Sequence, residues 1–455
     1  MHTLPALDSG PFVQDSSTLY EIAASLIAAA LSRGATDAVV NVSEAEGVSV
    51  TVRGGEIDEI EHARSGGATI TVYFAGRRAT VSTSVLSSAS LQQAVAEACR
   101  VARWTARDTC HGPAEEELLE TAPRDLDLYY PWQPSVQEAA QWAREIERAA
   151  LATADEIVDS HACVFASQQQ FLLMTSRGFA GGYASSRHQV SGGVIASRDG
   201  HMQAGGWSDV QRRPSDLIGA SALGRKAAGR TLAMLGARQL STRQCPVLFE
   251  AQIAGSLIEA LVNAVSGGPQ YTGQTFLPQA LGERVLADHL SLDEDPYLLR
   301  GRASAPFDSE GVRTSRRTVV EGGVLQGLFL DCHSARRLNL RSTGHAGGAH
   351  NLSLTSRNTR PEDTFGSMLK LLDTGLLVTK TMGQGLDCVT GDYSVGVAGF
   401  WIERAQVQYP VQGITIAGNL KEMLRNIVLV GADTHDDSLV ATGSILVDHM
   451  TVAGR

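Results

Sequence analysis

Short apolar runs alternate with polar positions along most of the chain, and glycines cut the runs into lengths suited to strands. The first periodic segment is helical, 19–32, with capping-box spacing at Thr18 and Glu21 and a stop at Gly34. Strands are predicted next at 38–42, 48–52, 57–60, 69–74 and 79–82, with turns at Gly54-Gly55, Gly66-Gly67 and Gly76. An alanine-rich helix over 90–106 would cover this meander. Residues 109–134 carry the acidic run 115–117 and Pro113, Pro123, Pro131 and Pro134, and read as an irregular connection. A helix over 136–153, strands over 157–166, 170–176 and 182–197, and a helix over 216–235 follow. Gly219, Gly224 and Gly229 interrupt that last helix and are expected to be surface or packing glycines.

The second half opens with a strand, 246–249, and a helix, 251–265. Ile253, Leu257, Leu261 and Val265 make its buried stripe, and Gln252, Ser256, Glu259 and Asn263 a polar one. A turn over 305–312 precedes a hairpin of 317–321 and 324–331 through Gly322-Gly323. The stretch 381–426 holds glycines at 383, 385, 391, 396, 399, 413 and 418 between runs that suit strands around 395–402, 409–411 and 414–416. So many glycines fit either a sheet shaped to receive an extended ligand or a tightly curved sheet with many turns. Asn419 then caps a helix over 420–427, with Glu422 in its first turn and Arg425 in its last. The expected fold class is α+β: a loose segment 1–16, an N-terminal domain of antiparallel strands with covering helices over 17–240, and a larger β-rich domain with a few helices over 241–455.

Composition narrows the function. The 455-residue chain is 43% hydrophobic, enough for a substantial core, while aromatics are 5% and glycines number 46. Net charge is −11, and the basic residues cluster only as isolated pairs such as Arg77-Arg78 and Arg316-Arg317, so nucleic acid is not expected as a partner. The six cysteines form no C-x-x-C pair, and the start has neither a basic region nor an apolar one. A reduced, cytoplasmic protein is expected. No apolar run approaches the ~20 residues of a membrane span.

Common catalytic signatures are missing. Gly224 is followed by Arg225-Lys226-Ala227, which fails the phosphate-loop pattern. The spacing around Ser394 is wrong for a nucleophile elbow, and no Rossmann fingerprint is present. Cys332 and His333 are neighbours, so on a strand they would point to opposite faces. His333, His345 and His350 lie close together, beside Asp331 and Cys332, but in a loop-like segment without regular ligand spacing.

Five segments carry a family resemblance: ARWTARD, SGGPQYTGQTFL, PFDSEGV, GDYSVGVAGFWIE and YPVQGITIAGNLKEMLRNI. Together they resemble the TldD/PmbA family, known as modulators of DNA gyrase, and its PmbA (TldE) branch in particular. The zinc-bearing branch carries H-E-x-x-x-H on the helix matching 251–265, with a cysteine near the C-terminus as a further ligand. Here Glu259 and Ala264 stand where the histidines belong, Ala260 where the glutamate belongs, and no cysteine follows Cys388. The resemblance therefore implies no catalytic residue, metal ligand or cofactor in this chain, and zinc in a TldD-type partner. It implies a cytosolic heterodimeric metallopeptidase acting on short or unfolded peptides, with this chain as its structural or substrate-channel subunit, and a possible homodimer when alone. Peptides would pair with strand edges in extended form. His345, His350, Ser394, Gly396, Gly399 and Asn419 are the candidates for the peptide cleft or the interface. The alternatives are an autonomous metallopeptidase with a different metal site, or a regulatory binding protein acting on gyrase or a toxin–antitoxin system.

Overall fold

In the computed structural model, the structure describes residues 12–383, 385–436 and 438–454. Positions 1–11 of the expected loose segment lie outside them. The N-terminal half comprises α1 (Ser16–Ser32), β1 (Asp37–Arg53), β2 (Glu56–Phe74), β3 (Arg77–Thr83), α2 (Ser88–Ala102), α3 (Val136–Leu151), β4 (Ile157–Thr175), β5 (Ala180–Arg198), β6 (His201–Gln211) and α4 (Ala220–Ala233). Its strands form one sheet in the order β3-β2-β1-β4-β5-β6, with every neighbour antiparallel.

These strands are longer than the sequence pattern predicts. The breaks expected between 42 and 48, at Gly66-Gly67 and between 166 and 170 are absent, and each pair of short strands is one continuous strand. Polar residues at mid-strand imitate loops, but they are buried and bonded. Glu44 accepts the N–H groups of Val13 (2.8 Å) and Gln14 (3.1 Å). Gln170 donates to the Gln14 carbonyl (2.7 Å), and Gln168 accepts the Trp132 N–H (3.3 Å). Residues 12–14 and the 109–134 connection thus supply the polar partners that let the sheet run through.

Val40, Val42, Val50 and Val52 of β1 share one face by strand periodicity. The first two are buried under α1 and α2, the last two under α3. Both helix pairs therefore cover the same side, and the opposite side of the sheet is left to face the second half. The cap of α1 is Asp15, which accepts the Thr18 N–H (2.8 Å), rather than the predicted Thr18–Glu21 box. A full capping box occurs at α3, from Ser135 and Glu138.

The C-terminal half comprises β7 (Arg243–Phe249), α5 (Ala251–Ala264), α6 (Gly267–Thr272), β8 (Leu290–Asp295), β9 (Arg317–Glu321), β10 (Val324–Leu325), α7 (Cys332–Arg337), β11 (Asn351–Ser356), α8 (Phe365–Leu372), β12 (Gly375–Met382), β13 (Asp392–Glu403), β14 (Gln406–Asn419), α9 (Leu420–Arg425), β15 (Ile427–Val430), β16 (Val440–Ala441) and β17 (Ile445–Ala453). One sheet runs β10-β9-β8-β11-β16 and another β14-β13-β12-β7-β17-β15. The second also pairs β14 with β17 through Thr415–Ala417, so its strands curl round and close. Pro246 lies in a central strand because the β7–β17 register shifts beside it, between Val447 and Met450. Strand β10 stops short of the predicted 331, since the chain leaves to pair Phe329 with Gly267 at the end of α5. The overall class is α+β, as expected. Among the described residues, no helix is long and apolar enough to cross a membrane.

The glycines of the α4 segment separate into two kinds. A Cβ on Gly224 would sit 2.2 Å from the Ile146 carbonyl oxygen of α3, whereas Gly229 faces open space. Gly229→Ala is expected to stabilise the protein by up to ~1 kcal/mol through helix propensity. Gly224→Ala should destabilise it by ~1–3 kcal/mol by pushing α3 and α4 apart. Urea unfolding of the two variants would measure both.

Candidate functional site

Helix α5 is where the zinc motif of the resembling family would lie. Its stripe Leu257, Leu261 and Val265 is buried in the main core, together with Ala254, Ile258 and Ala264. Gln252, Ser256, Glu259 and Asn263 are exposed, as the periodicity predicts. The helix start is held by Glu250, which takes two 2.7 Å hydrogen bonds from the Arg230 guanidinium. Glu259 therefore offers one carboxylate to solvent, Ala260 is half-buried, and the Ala264 methyl points into the core. A catalytic zinc needs about three protein ligands. This helix supplies one donor, so its residues do not fit the ion. A thiol does come near: exposed Cys388 lies 3.9 Å from the Asn263 amide.

The three histidines that sit close in sequence separate in space. His345 and His350 are buried beside Glu294, on β8. His345 Nε2 lies 2.9 and 3.0 Å from the two Glu294 oxygens, the His350 N–H donates to Glu294 (2.7 Å), and Arg317 Nε donates to it (2.7 Å). The ring nitrogens of His350 face the carbonyls of Ala303 (3.2 Å) and Gly344 (3.1 Å). Burial pushes the Glu294 carboxyl up, but His345, the Arg317 charge and the His350 N–H outweigh it and hold it at about 2. Burial lowers the pKa of His345. A guanidinium already occupies the carboxylate and reaches to 3.3 Å from His345 Nε2. The cluster is a filled ionic network that ties the glycine-rich loop to β8 and β9, and a second cation has no room in its electrostatics.

His333 belongs elsewhere. Its Nε2 lies 2.8 Å from Asp108, in the connection after α2, and Arg337 donates to the same oxygen (2.8 Å). The His111 ring lies tilted beside the His333 ring, centroids 4.9 Å apart. The hydrogen bond from His333 holds the Asp108 carboxyl well below the usual range. Arg336, next in α7, binds the carbonyls of Cys110, Gly112 and Pro113 and the Glu115 carboxylate. Helix α7 therefore clamps the irregular connection to the C-terminal half.

Asp308 sits at the buried turn of the PFDSEGV segment. Burial, with Glu310 beside it, raises its carboxyl to about 7. Its oxygens accept the N–H groups of Glu310 (2.9 Å), Val312 (2.9 Å) and Ala346 (3.0 Å), which joins the turn to the glycine-rich loop. Asp308 and His350 both line a cleft of about 580 Å³ on the open face of the N-terminal sheet. Of the sequence candidates, His350 alone reaches this cleft; His345 supports the same loop from behind.

The candidates on β13 and β14 lie apart from it. Ser394 is exposed, and its N–H donates to the Gly385 carbonyl (2.6 Å). Gly396 pairs with Thr415 and Met382. Gly399 sits at a register shift where a Cβ would fall 1.9 Å from the Leu377 carbonyl oxygen, so glycine there lets β13 pair closely with β12. Asn419 accepts the Lys421 N–H (3.2 Å) and donates to the Thr390 carbonyl (3.0 Å). Close backbone packing accounts for glycine at 385 and 399 of this stretch. Glu294 and His111 fall in no motif, whereas Asp108 closes ARWTARD and Asp308 sits within PFDSEGV, segments that carry the resemblance without marking these carboxylates as site residues.

Comparison with known proteins decides the family. Models of the PmbA/TldA metallopeptidase match in chain order: domain 1 over 38–102, the central domain over 129–235 and the C-terminal domain over 242–454. Metalloprotease PmbA of Escherichia coli O157:H7 is 43% identical over 427 residues, spanning 93% of this chain and 94% of that one. The chain belongs to the PmbA/TldA metallopeptidase family. The solved structure of a putative modulator of DNA gyrase from Bacteroides thetaiotaomicron superposes with a TM-score of 0.90 at 22% identity, covering 98% of this chain and 100% of that one. TldE from Thermococcus kodakarensis superposes at 0.80 with 17% identity, covering 95% and 100%. These two show the same fold. Within PmbA/TldA metallopeptidases, then, this chain has an α5 whose side chains do not suit a metal.

The Glu294 network makes a pH prediction. Its carboxyl falls from an ordinary 4.5 to about 2 on folding, so its contribution is complete above about 4.5 and is lost as pH falls through about 2. Glu294→Gln should cost ~3–5 kcal/mol at neutral pH, because it leaves Arg317 buried without its carboxylate. The deficit should narrow as pH falls from 4.5 toward 2, read by denaturant unfolding across that range.

Proposed function

We propose that this chain is the PmbA/TldE-type subunit of a cytosolic, heteromeric zinc peptidase that processes short or unfolded peptides, and that it forms walls of the substrate channel while a TldD-type chain holds the zinc. The observation that carries the reading is α5: an exposed carboxylate, Glu259, and a methyl group, Ala264, where a metal-binding helix needs imidazoles, and Ala260 where it needs a carboxylate. The 43% identity to a protein named metalloprotease PmbA and the fold shared with TldE support the family context. A metallopeptidase relative and a helix without ligands are reconciled if the metal comes from another chain.

The chain's own residues suit channel building. Arg317, Glu294 and His345 fix the glycine-rich loop; Asp308 ties that loop to the PFDSEGV turn; the open face of the N-terminal sheet lies opposite both. Such a fixed cleft binds an extended peptide through backbone groups and excludes folded proteins, which cannot present a free strand. An autonomous metallopeptidase would need an ion at one of the two histidine clusters. Arg317 and Arg337 already neutralise their carboxylates, which speaks against that rival.

A peptidase assay of this chain alone, a TldD-type chain alone and the two mixed tests the reading. Hydrolysis is expected only in the mixture, with loss on chelation, and Glu259→Ala in this chain should leave the mixture's rate within about twofold. Chelator-sensitive hydrolysis by this chain alone would overturn the proposal.

A further inference from the structure

Two arginines of the cleft on the open face of the N-terminal sheet, Arg187 and Arg212, form no ion pair with a carboxylate among the described residues. Its sheet wall alternates in register, with Phe171 opposite Tyr183 and Ser167 opposite Arg187. Arg212 lines it from the end of β6 and is half-buried. Among the described residues, its side-chain hydrogen bonds go to backbone carbonyls only: Ser186 (3.2 Å), Gly301 (3.1 and 3.0 Å) and Arg302 (2.9 Å). Those four bonds leave one of its five N–H groups unspent. Burial and the neighbouring charges of Arg187 and Arg302 push its pKa down. Arg187 is exposed and, among the described residues, has no ion pair with a carboxylate.

Like charges gathered around a buried guanidinium raise the free energy of the empty cleft, and an anion between them lowers it. Asp308 lines the same cleft but does not serve that purpose. Its oxygens are turned to the backbone N–H groups of Glu310, Val312 and Ala346. Phe171, Tyr183 and Phe307 meet edge-to-face in the cleft, with centroids 4.7 to 6.1 Å apart, and give an apolar surface beside the arginines. An anion with an adjoining apolar group fits these walls, and a planar carboxylate suits a guanidinium fork.

We propose that this cleft is a subsite for the end of a peptide: Arg187 and Arg212 receive its C-terminal carboxylate, and Phe171, Tyr183 and Phe307 pack against its last side chain. The choice of a peptide as ligand rests on the peptidase-subunit reading above; the carboxylate preference rests on the cleft alone.

The test uses the full chain without any partner. A dye-labelled Ala-Ala-Ala-Leu-Phe peptide is titrated by fluorescence anisotropy as the free acid, as the C-terminal amide, and as an amide carrying one internal Asp. The free acid is expected to bind at least about tenfold tighter than either amide, the scale of one charge-assisted pairing. Arg187→Gln should abolish that preference, and Arg187→Lys should restore part of it. Arg187 is exposed, so an unchanged melting temperature in both variants is expected. Equal binding of acid and plain amide, no binding of the acid, a preference that survives Arg187→Gln, or an Asp-containing amide that matches the free acid would each overturn the subsite. If the acid preference holds while mixtures with a TldD-type chain stay inactive, the subunit reading fails and the carboxylate subsite stands. If the mixtures are active but the preference is absent, the subsite fails alone.

Discussion

Helix α5 is packed into the core of the C-terminal half along Ala254, Leu257, Ile258, Leu261 and Ala264, which leaves a single narrow stripe for chemistry. A buried helix cannot turn to offer other side chains without opening its core, at a cost of several kcal/mol per displaced aliphatic group. What the stripe contains therefore sets what this position can do. It contains Gln252, Ser256, Glu259 and Asn263, polar groups suited to hydrogen bonding with a partner or with water, and only one of them a carboxylate. The family's scaffold is retained around this helix while the donors are absent from it.

The surrounding structure is ordered by ionic contacts that join distant parts of the chain. Glu294, Arg317 and His345 fasten the glycine-rich loop; Arg336 and Arg337 of α7 fasten the connection that links α2 to α3. The first lies within the C-terminal half, and the second joins the two halves of the protein. They fix the loops that face the open side of the N-terminal sheet, and so define a rigid cleft instead of a mobile surface. Binding to a preformed cleft avoids the ordering entropy that a flexible site would lose.

Much of the architecture is legible in the sequence because burial leaves a periodic trace. The stripe of α5 follows a four-residue repeat, and the same repeat marks its exposed side. The long strands leave no such trace, since Glu44, Gln168 and Gln170 look like loop residues until their partners at 12–14 and 132 are known. The histidines show the same limit. His345 finds Glu294 at a separation of 51 residues and His333 finds Asp108 at 225, and no local pattern encodes either pairing. Glycine density between 383 and 418 is ambiguous for a related reason: close strand pairing and ligand access both demand small residues, and the first is seen at Gly385 and Gly399, where a Cβ would fall 1.9 Å from a carbonyl oxygen.

The most direct test of the central claim is the metal content of each subunit, measured by elemental analysis after purifying this chain and a TldD-type chain separately and again after separating the mixed assembly. Zinc at one equivalent on the TldD-type chain and at background on this one is the predicted result. Stoichiometric zinc retained by this chain through gel filtration would contradict it.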